Sequence, residues 1–210
     1  RGAGAELARG ARHIAQRYGA GHLVMESKGL EFPAYDPRGS YGMALAYCTS
    51  DRGGCHMRAF PVADEAFGDV DPFTLEGKAE MVVQAQDFNS VKWTGIFCDF
   101  WAIGIGDIAR LLSGGTGHPY TEEELTTVGE RIWNLGRIFN VREGFSRKDD
   151  YPPPVIFDRS LPEGPAAGRN FTREEYDAAL SEYYRLRGWT EDGIPTKQKL
   201  VALGLADLME

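Results

Sequence analysis

Two Thr-x-x-Glu patterns constrain the fold most strongly, because each predicts where a long helix begins. Thr121 is followed by Glu124, and Thr172 is followed by Glu175. In this arrangement the hydroxyl and the carboxylate satisfy each other's backbone N–H groups in the first helical turn. The two patterns predict helices at about 121–142 and 172–186.

Apolar residues at helical spacing predict further helices at about 5–18, 40–49, 76–98, 101–112 and 197–203. No segment shows the apolar–polar alternation of a half-buried strand. We therefore expect an all-α fold, an irregular multi-helix domain that is one unit over residues 1–210, with a long loop at about 146–170. The inward-facing residues of the 121–142 helix are predicted to be Leu125, Val128, Ile132, Leu135 and Phe139.

Residues 49–58 combine a hydroxyl pair, an acid, two arginines, a glycine pair, a thiol and an imidazole. Such a density of polar groups is costly to bury unless each group has a partner. The segment therefore predicts a site in which the glycines let the backbone approach a ligand.

Several side chains are candidates, each with a structural alternative. His56 follows the glycine pair and could transfer protons, or it could be a buried histidine bonded to a carbonyl. Arg52 and Arg58 could bind an anion or form salt bridges. Cys55 is expected to be a buried core thiol, since adjacent residues rarely point the same way. Cys98 lies in an apolar, aromatic run and could be a metal or cluster ligand or an inert core cysteine.

Residues 134–145 mix arginines and asparagines with apolar residues. These groups could line a cavity or form a buried polar network, and we favour the network.

Charge and cysteine content exclude some classes of protein. The formal charge is −8, with 31 acidic against 23 basic side chains, which argues against a nucleic-acid surface. No apolar run reaches the length of a membrane helix. Three cysteines without a CxxC pair do not form a secreted disulfide framework, so we expect a cytoplasmic protein.

Several ordered motifs carry a specific resemblance to a known family. They are the runs at 28–38, 51–59, 95–100 and 134–150, and the tail elements at 183–189 and 193–195. Together they resemble the C-terminal part of the tungsten-containing aldehyde:ferredoxin oxidoreductase family over nearly the whole chain.

The resemblance implies a tungsten ion on two pyranopterin dithiolenes of the molybdopterin type, with magnesium as a further candidate, and a nearby [4Fe–4S] cluster. It implies oxidation of a small aldehyde to a carboxylate, with electrons passed singly to ferredoxin or an electron-transfer subunit, in an oligomeric protein. By position, His56 would lie near tungsten, Arg58 and Phe97 would contact pterin, and Cys98 would be the fourth cluster ligand.

Parts of the implied site are not in this sequence. In the family, three further cluster cysteines, a catalytic glutamate and a pterin-binding N-terminal part lie upstream. We expect the helical unit to pack against that part and to be inactive alone. His56 is predicted to donate a hydrogen bond to an oxygen on tungsten or to the substrate carbonyl.

One position departs from the family pattern, since Trp93 stands where members often carry an acidic residue that contacts pterin. Two other functions remain open at this point. One is a helical scaffold or interaction domain without chemistry, and the other is a thiol enzyme using Cys55 or Cys98.

Overall fold

The computed structural model describes residues 2–208, and the all-α prediction is confirmed. Within that range the α-helices are α1 (Ala3–Leu7), α2 (Gly10–Arg17), α3 (Tyr41–Thr49), α4 (Pro61–Phe67), α5 (Lys78–Thr94), α6 (Ile105–Thr116), α7 (Glu122–Arg142), α8 (Pro154–Asp158), α9 (Arg173–Arg187) and α10 (Lys197–Ala202). Strands β1 (Glu26–Ser27) and β2 (Leu30–Glu31) form a short antiparallel hairpin. Single 3₁₀ turns lie at Gly21–Leu23, Arg147–Asp149 and Ala206–Leu208.

The capped helices begin where the sequence predicts. Thr121 Oγ1 accepts from the backbone N–H of Glu124, and the Glu124 carboxylate accepts from the N–H of Thr121. The same reciprocal pair joins Thr172 and Glu175 at the start of α9.

Helix α3 lies at the centre of the main core, and all nine of its residues are buried. Its glycine and alanines allow α4, α5 and α9 to pack around it. A second, smaller apolar cluster joins the end of α5 to α6 and the start of α7 through Val91, Ile108 and Leu125. No described helix has both the length and the apolar character needed to cross a bilayer.

Several predicted boundaries are wrong. The 5–18 segment is two helices, because Gly10 has a positive φ of 86°. The 76–98 helix ends at Thr94, so Cys98 lies beyond it in a loop. The loop at 146–170 contains a 3₁₀ turn and helix α8, and α4 was not predicted.

The α6 prediction is shifted along the chain. Instead of 101–112, the helix runs from Ile105 to Thr116, through the glycine pair. Lys92 Nζ holds the carbonyl of Trp101 in the preceding loop, and the Asp107 carboxylate caps the N–H of Gly104. The helix ends at Gly117, whose φ of 79° is left-handed.

Residues 134–145 take part in a buried polar network, as favoured from the sequence. Asn134 Oδ1 accepts from Trp189 Nε1 at 2.7 Å. Arg137 pairs with the fully buried Asp150, which also pairs with Lys28 of the hairpin loop. The network therefore joins α7 to the hairpin and to Trp189, which lies just after α9.

Candidate functional site at the end of α5

The polar segment after α3 is fixed in place by asparagines from two neighbouring helices. Asn140 of α7 donates to the carbonyl of Asp51 at 2.6 Å. Asn89 of α5 donates to the carbonyls of Met57 and Arg58 at 3.0 and 3.2 Å. The segment therefore forms an ordered wall beside the last turns of α5.

The glycine pair serves packing within the chain, which corrects the expectation that it admits a ligand. Gly53 has a φ of 96°, and a Cβ there would lie 2.2 Å from the carbonyl oxygen of Ser27. A Cβ on Gly54 would lie 2.7 Å from the carbonyl oxygen of Leu30. Both glycines are required because the segment crosses the β1–β2 hairpin at close range.

His56 is half-buried between two aromatic rings. Its ring centre lies 5.6 Å from that of Tyr35 and 5.8 Å from that of Phe60. Neither ring nitrogen has a hydrogen-bond partner among residues 2–208, so the alternative of a histidine bonded to a carbonyl is wrong. An imidazole in this state can donate to, or accept from, a bound molecule.

A pocket of about 180 Å³ opens beside His56. It is lined by Tyr35, His56, Met57, Phe60, Asn89, Asp99 and Phe100. No sequence pattern marked Tyr35, Phe60 or Asp99 as site residues, because their meeting at one pocket depends on the tertiary fold. Pro33 and Pro37, which bracket Tyr35 in a turn, were the available signal for a rigidly placed ring.

Arg58 is held between an acid and an aromatic ring. Its Nε and Nη2 donate to the two carboxylate oxygens of Asp51 at 2.7 and 3.2 Å. Its guanidinium carbon lies 3.9 Å from the centre of the Trp93 ring. The salt-bridge alternative is therefore realised, while Nη1 has no partner in the described range. Trp93, the departure from the family pattern, is thus a stacking partner for Arg58.

Cys98 is exposed on the loop that follows α5, so the alternative of an inert core cysteine is wrong. The loop is tied back to α5 at the next residue, Asp99. Trp93 Nε1 donates to Asp99 Oδ1 at 2.9 Å, and Lys92 Nζ donates to the Asp99 carbonyl at 3.0 Å. Phe97 packs edge-on against Trp101, with ring centres 5.6 Å apart.

The other two thiols are buried, as expected for Cys55. Burial raises the pKa of the Cys48 thiol to about 12, which suppresses its thiolate. Arg52 Nη2 lies 2.9 Å from Cys55 Sγ, so Arg52 pairs with a sulfur instead of an acid. Among these three thiols, Cys98 is the one placed to reach a group outside the chain.

The structure thus brings His56, Arg58 and the Cys98 loop to one end of α5. Among residues 2–208, no three His, Cys, Asp or Glu side chains come close enough to hold a metal ion unaided. One exposed thiol fits a cluster only as one of several ligands.

Comparison with known sequences points to one family. Residues 1–205 match a sequence model described as aldehyde ferredoxin oxidoreductase, domains 2 and 3. A tungsten-containing aldehyde ferredoxin oxidoreductase from Pyrococcus furiosus is 39% identical over 98% of this chain, and one from Thermococcus kodakarensis is 36% identical over 98%. The chain spans 35% of the length of each of these relatives.

More distant similarities agree. The WOR-like subunit of an aliphatic sulfonate oxidoreductase from P. furiosus is 28% identical over 86% of this chain and 28% of its own length. The solved active-site complex BamBC of benzoyl coenzyme A reductase, with 1,5-dienoyl-CoA, superposes with a TM-score of 0.55 at 25% identity. That match covers 67% of this chain and 21% of the other.

Proposed function

Because this chain belongs to the aldehyde ferredoxin oxidoreductase family, we propose that it is the helical C-terminal part of a tungsten enzyme that oxidises aldehydes to carboxylic acids. The observation that carries this proposal is the shared position of His56 and the Cys98 loop around one pocket at the end of α5. A scaffold without chemistry is not favoured by the relatives, which are named as oxidoreductases.

The cofactors that we propose are a tungsten ion on two pyranopterins and a [4Fe–4S] cluster. When bound, they would accept the two electrons released by oxidation of the aldehyde and would pass them on singly to ferredoxin or an electron-transfer subunit. Cys98 would supply one cluster thiolate, and its exposure fits that role. Arg58 would contact a pterin phosphate or ring through Nη1, which Asp51 leaves free. The pterin contact of Phe97 stays a prediction.

His56 would bind and orient the substrate. Its free ring nitrogens support a hydrogen bond to the aldehyde carbonyl, which would polarise the carbon that water attacks. The imidazole packs between the flanking rings of Tyr35 and Phe60. A carboxylate from outside this chain would accept the proton.

Metal analysis of the full-length protein, purified without oxygen, tests the proposal. We expect about one tungsten and about four irons per chain, together with reduction of ferredoxin by added aldehyde. Cys98→Ser should lower the iron content and abolish the cluster's spin-resonance signal. Cys55→Ser is the matched control, because its thiol is buried and should leave iron unchanged.

His56→Ala should keep both metals and lower kcat/KM for aldehydes by about 100-fold, the usual range for a lost proton-transfer or polarising group. If the folded protein repeatedly lacked both metals, a helical scaffold without chemistry would be the better interpretation. Full turnover by His56→Ala would remove His56 from the reaction.

A further inference from the structure

Among the described residues that line the pocket beside His56, Asp99 is the one acidic residue. The other lining residues carry aromatic, amide or thioether side chains: Tyr35, His56, Met57, Phe60, Asn89 and Phe100. The volume of about 180 Å³ is close to that of cavities of roughly 150 Å³ that bind benzene. The pocket therefore has room for one aromatic ring or an aliphatic chain of similar size.

The Asp99 carboxylate is held rigidly. Trp93 Nε1 donates to Oδ1 at 2.9 Å, while the Trp93 ring is itself fixed against Arg58. Lys92 Nζ fixes the backbone of the same residue through its carbonyl. The side chain and the backbone of Asp99 are therefore each held by one residue of α5, and Oδ2 has no partner among the described residues.

The arginine and lysine nearest the pocket, Arg58 and Lys92, already have partners within the chain. Both Asp51 oxygens bind the Arg58 guanidinium, which offsets that charge. The Lys92 ammonium is buried and donates to the carbonyls of Asp99 and Trp101. Among residues 2–208, no salt bridge involves the Asp99 carboxylate. Asn89 likewise directs its amide at the carbonyls of Met57 and Arg58.

We propose that Asp99, positioned by Trp93, determines substrate specificity by repelling anions. The pocket admits neutral aldehydes whose side group is about the size of a benzene ring, and it disfavours aldehydes that also carry a carboxylate. Two like charges in a small, partly desolvated pocket repel strongly. The same repulsion weakens binding of the carboxylate product. This inference rests on the proposed function, because it assigns the substrate class of that site.

The experiment compares two aldehydes of matched shape, 4-carbamoylbenzaldehyde and 4-carboxybenzaldehyde, with the full-length holoenzyme. The natural protein should prefer the neutral amide in kcat/KM by at least about tenfold, mainly through KM. Asp99→Asn keeps an oxygen that can accept from Trp93 Nε1 and removes only the charge. This substitution should lower the ratio of kcat/KM for the amide aldehyde to that for the carboxylate aldehyde by about tenfold.

Two further variants separate charge from position. Asp69→Asn removes one exposed carboxylate outside the pocket and should leave the preference unchanged. Trp93→Phe keeps a ring over Arg58 but removes the donor to Asp99, and it should reduce the preference by a smaller factor. A preference in Asp99→Asn within twofold of that of the natural protein would overturn the inference.

A binding measurement distinguishes failure of this inference from failure of the proposed function. If no variant oxidises any aldehyde, the proposed function fails. Calorimetry with benzamide and benzoate on the metal-free protein still tests Asp99. Asp99→Asn should improve benzoate binding relative to benzamide by about tenfold, and an unchanged ratio would overturn the role of Asp99.

Discussion

Ile96 adopts a backbone conformation that a β-branched residue rarely takes. Its φ is 59°, and it is 92% exposed. The N–H of Ile96 bonds to the carbonyl of Trp93, and the N–H of Phe97 bonds to that of Lys92. These two bonds form the Schellman ending of α5, whose left-handed position is usually glycine. The turn that presents Cys98 is therefore made at some steric cost.

Replacing Ile96 by Gly should stabilise the protein. A left-handed conformation costs a non-glycine residue roughly 1–2 kcal/mol. Part of the stabilisation from removing this cost is lost again, because glycine has more conformational entropy in the unfolded chain. The net effect should be about 1 kcal/mol, seen as a rise in Tm of about 2–4 °C. Little burial is lost, because the side chain is exposed.

Phe100→Gly is the control for Ile96→Gly. Phe100 is equally exposed, and in the described range the only non-glycine residues with positive φ are Lys28 and Ile96. Phe100→Gly should lower Tm slightly, because it adds the entropy cost of glycine without relieving a left-handed conformation. A fall in Tm for Ile96→Gly as well would show that the turn carries no relievable strain.

The cysteines show what sequence can predict at the scale of one residue. The burial of Cys55 follows from its place in the chain, since its neighbour His56 points towards the pocket. The exposure of Cys98 was ambiguous from an apolar run, because it depends on where α5 stops. That end is set by the backbone bonds of Ile96 and Phe97, which no side-chain pattern reveals.

At the scale of the helices, the α7 prediction was right in extent and partly wrong about which residues face inward. Leu125 is buried as expected and Val128 and Ile132 are half-buried, but Leu135 and Phe139 are 46% and 62% exposed. The buried positions include Gly129, Trp133, Asn134, Arg137 and Asn140. Glycine and polar residues share this face with Leu125, Trp133 and Ile138, because they make close contacts and hydrogen bonds there. A pattern of apolar side chains cannot detect such an interface.

Gly129 sets the closest approach of α7 to α5. A Cβ there would lie 2.2 Å from the carbonyl oxygen of Asp87, so Gly129→Ala must push the helices apart. We expect a loss of about 2–3 kcal/mol in the free energy of unfolding, measured by urea denaturation. This loss should exceed the gain in helix propensity that alanine brings.

Gly136 on the same helix provides the matched control. The nearest atom to a Cβ there is Asp51 Cβ at 3.8 Å, an ordinary contact. Gly136→Ala should therefore stabilise the protein by up to about 1 kcal/mol through helix propensity. Equal effects of the two substitutions would mean that α5 and α7 are not in the tight contact described.

At the scale of the whole molecule, Asp150 joins elements that are distant in sequence. Its carboxylate lies 2.7 Å from Lys28 Nζ and 2.8 Å from Arg137 Nη2, and it accepts from Tyr184 OH at 2.6 Å. The hairpin, α7 and α9 therefore meet at one buried charge. The sequence predicted a network at 134–145, but the participation of Lys28 depends on the tertiary fold.

Titration of Asp150 should dominate the acid sensitivity of this network. Burial alone would raise the pKa of the carboxyl, but Lys28 and Arg137 together outweigh it and hold the pKa below its usual value. A carboxyl with a lowered folded-state pKa stabilises the protein fully above its unfolded pKa of about 3.9. That stabilisation is lost as pH falls through the lower, folded-state value.

Asp150→Asn should therefore cost about 3–5 kcal/mol at pH 7, because it leaves two buried cations without their anion. The deficit should stay constant between pH 7 and 5 and should narrow below about pH 4, where the Asp150 carboxyl of the unfolded natural chain begins to take up a proton. Urea unfolding at a series of pH values measures both effects.

Asp177→Asn breaks a half-exposed pair with Arg147 and should cost no more than about 1 kcal/mol. If both variants lost equal stability at pH 7, the buried charge would not hold these elements together, and apolar packing around α3 would have to explain their assembly.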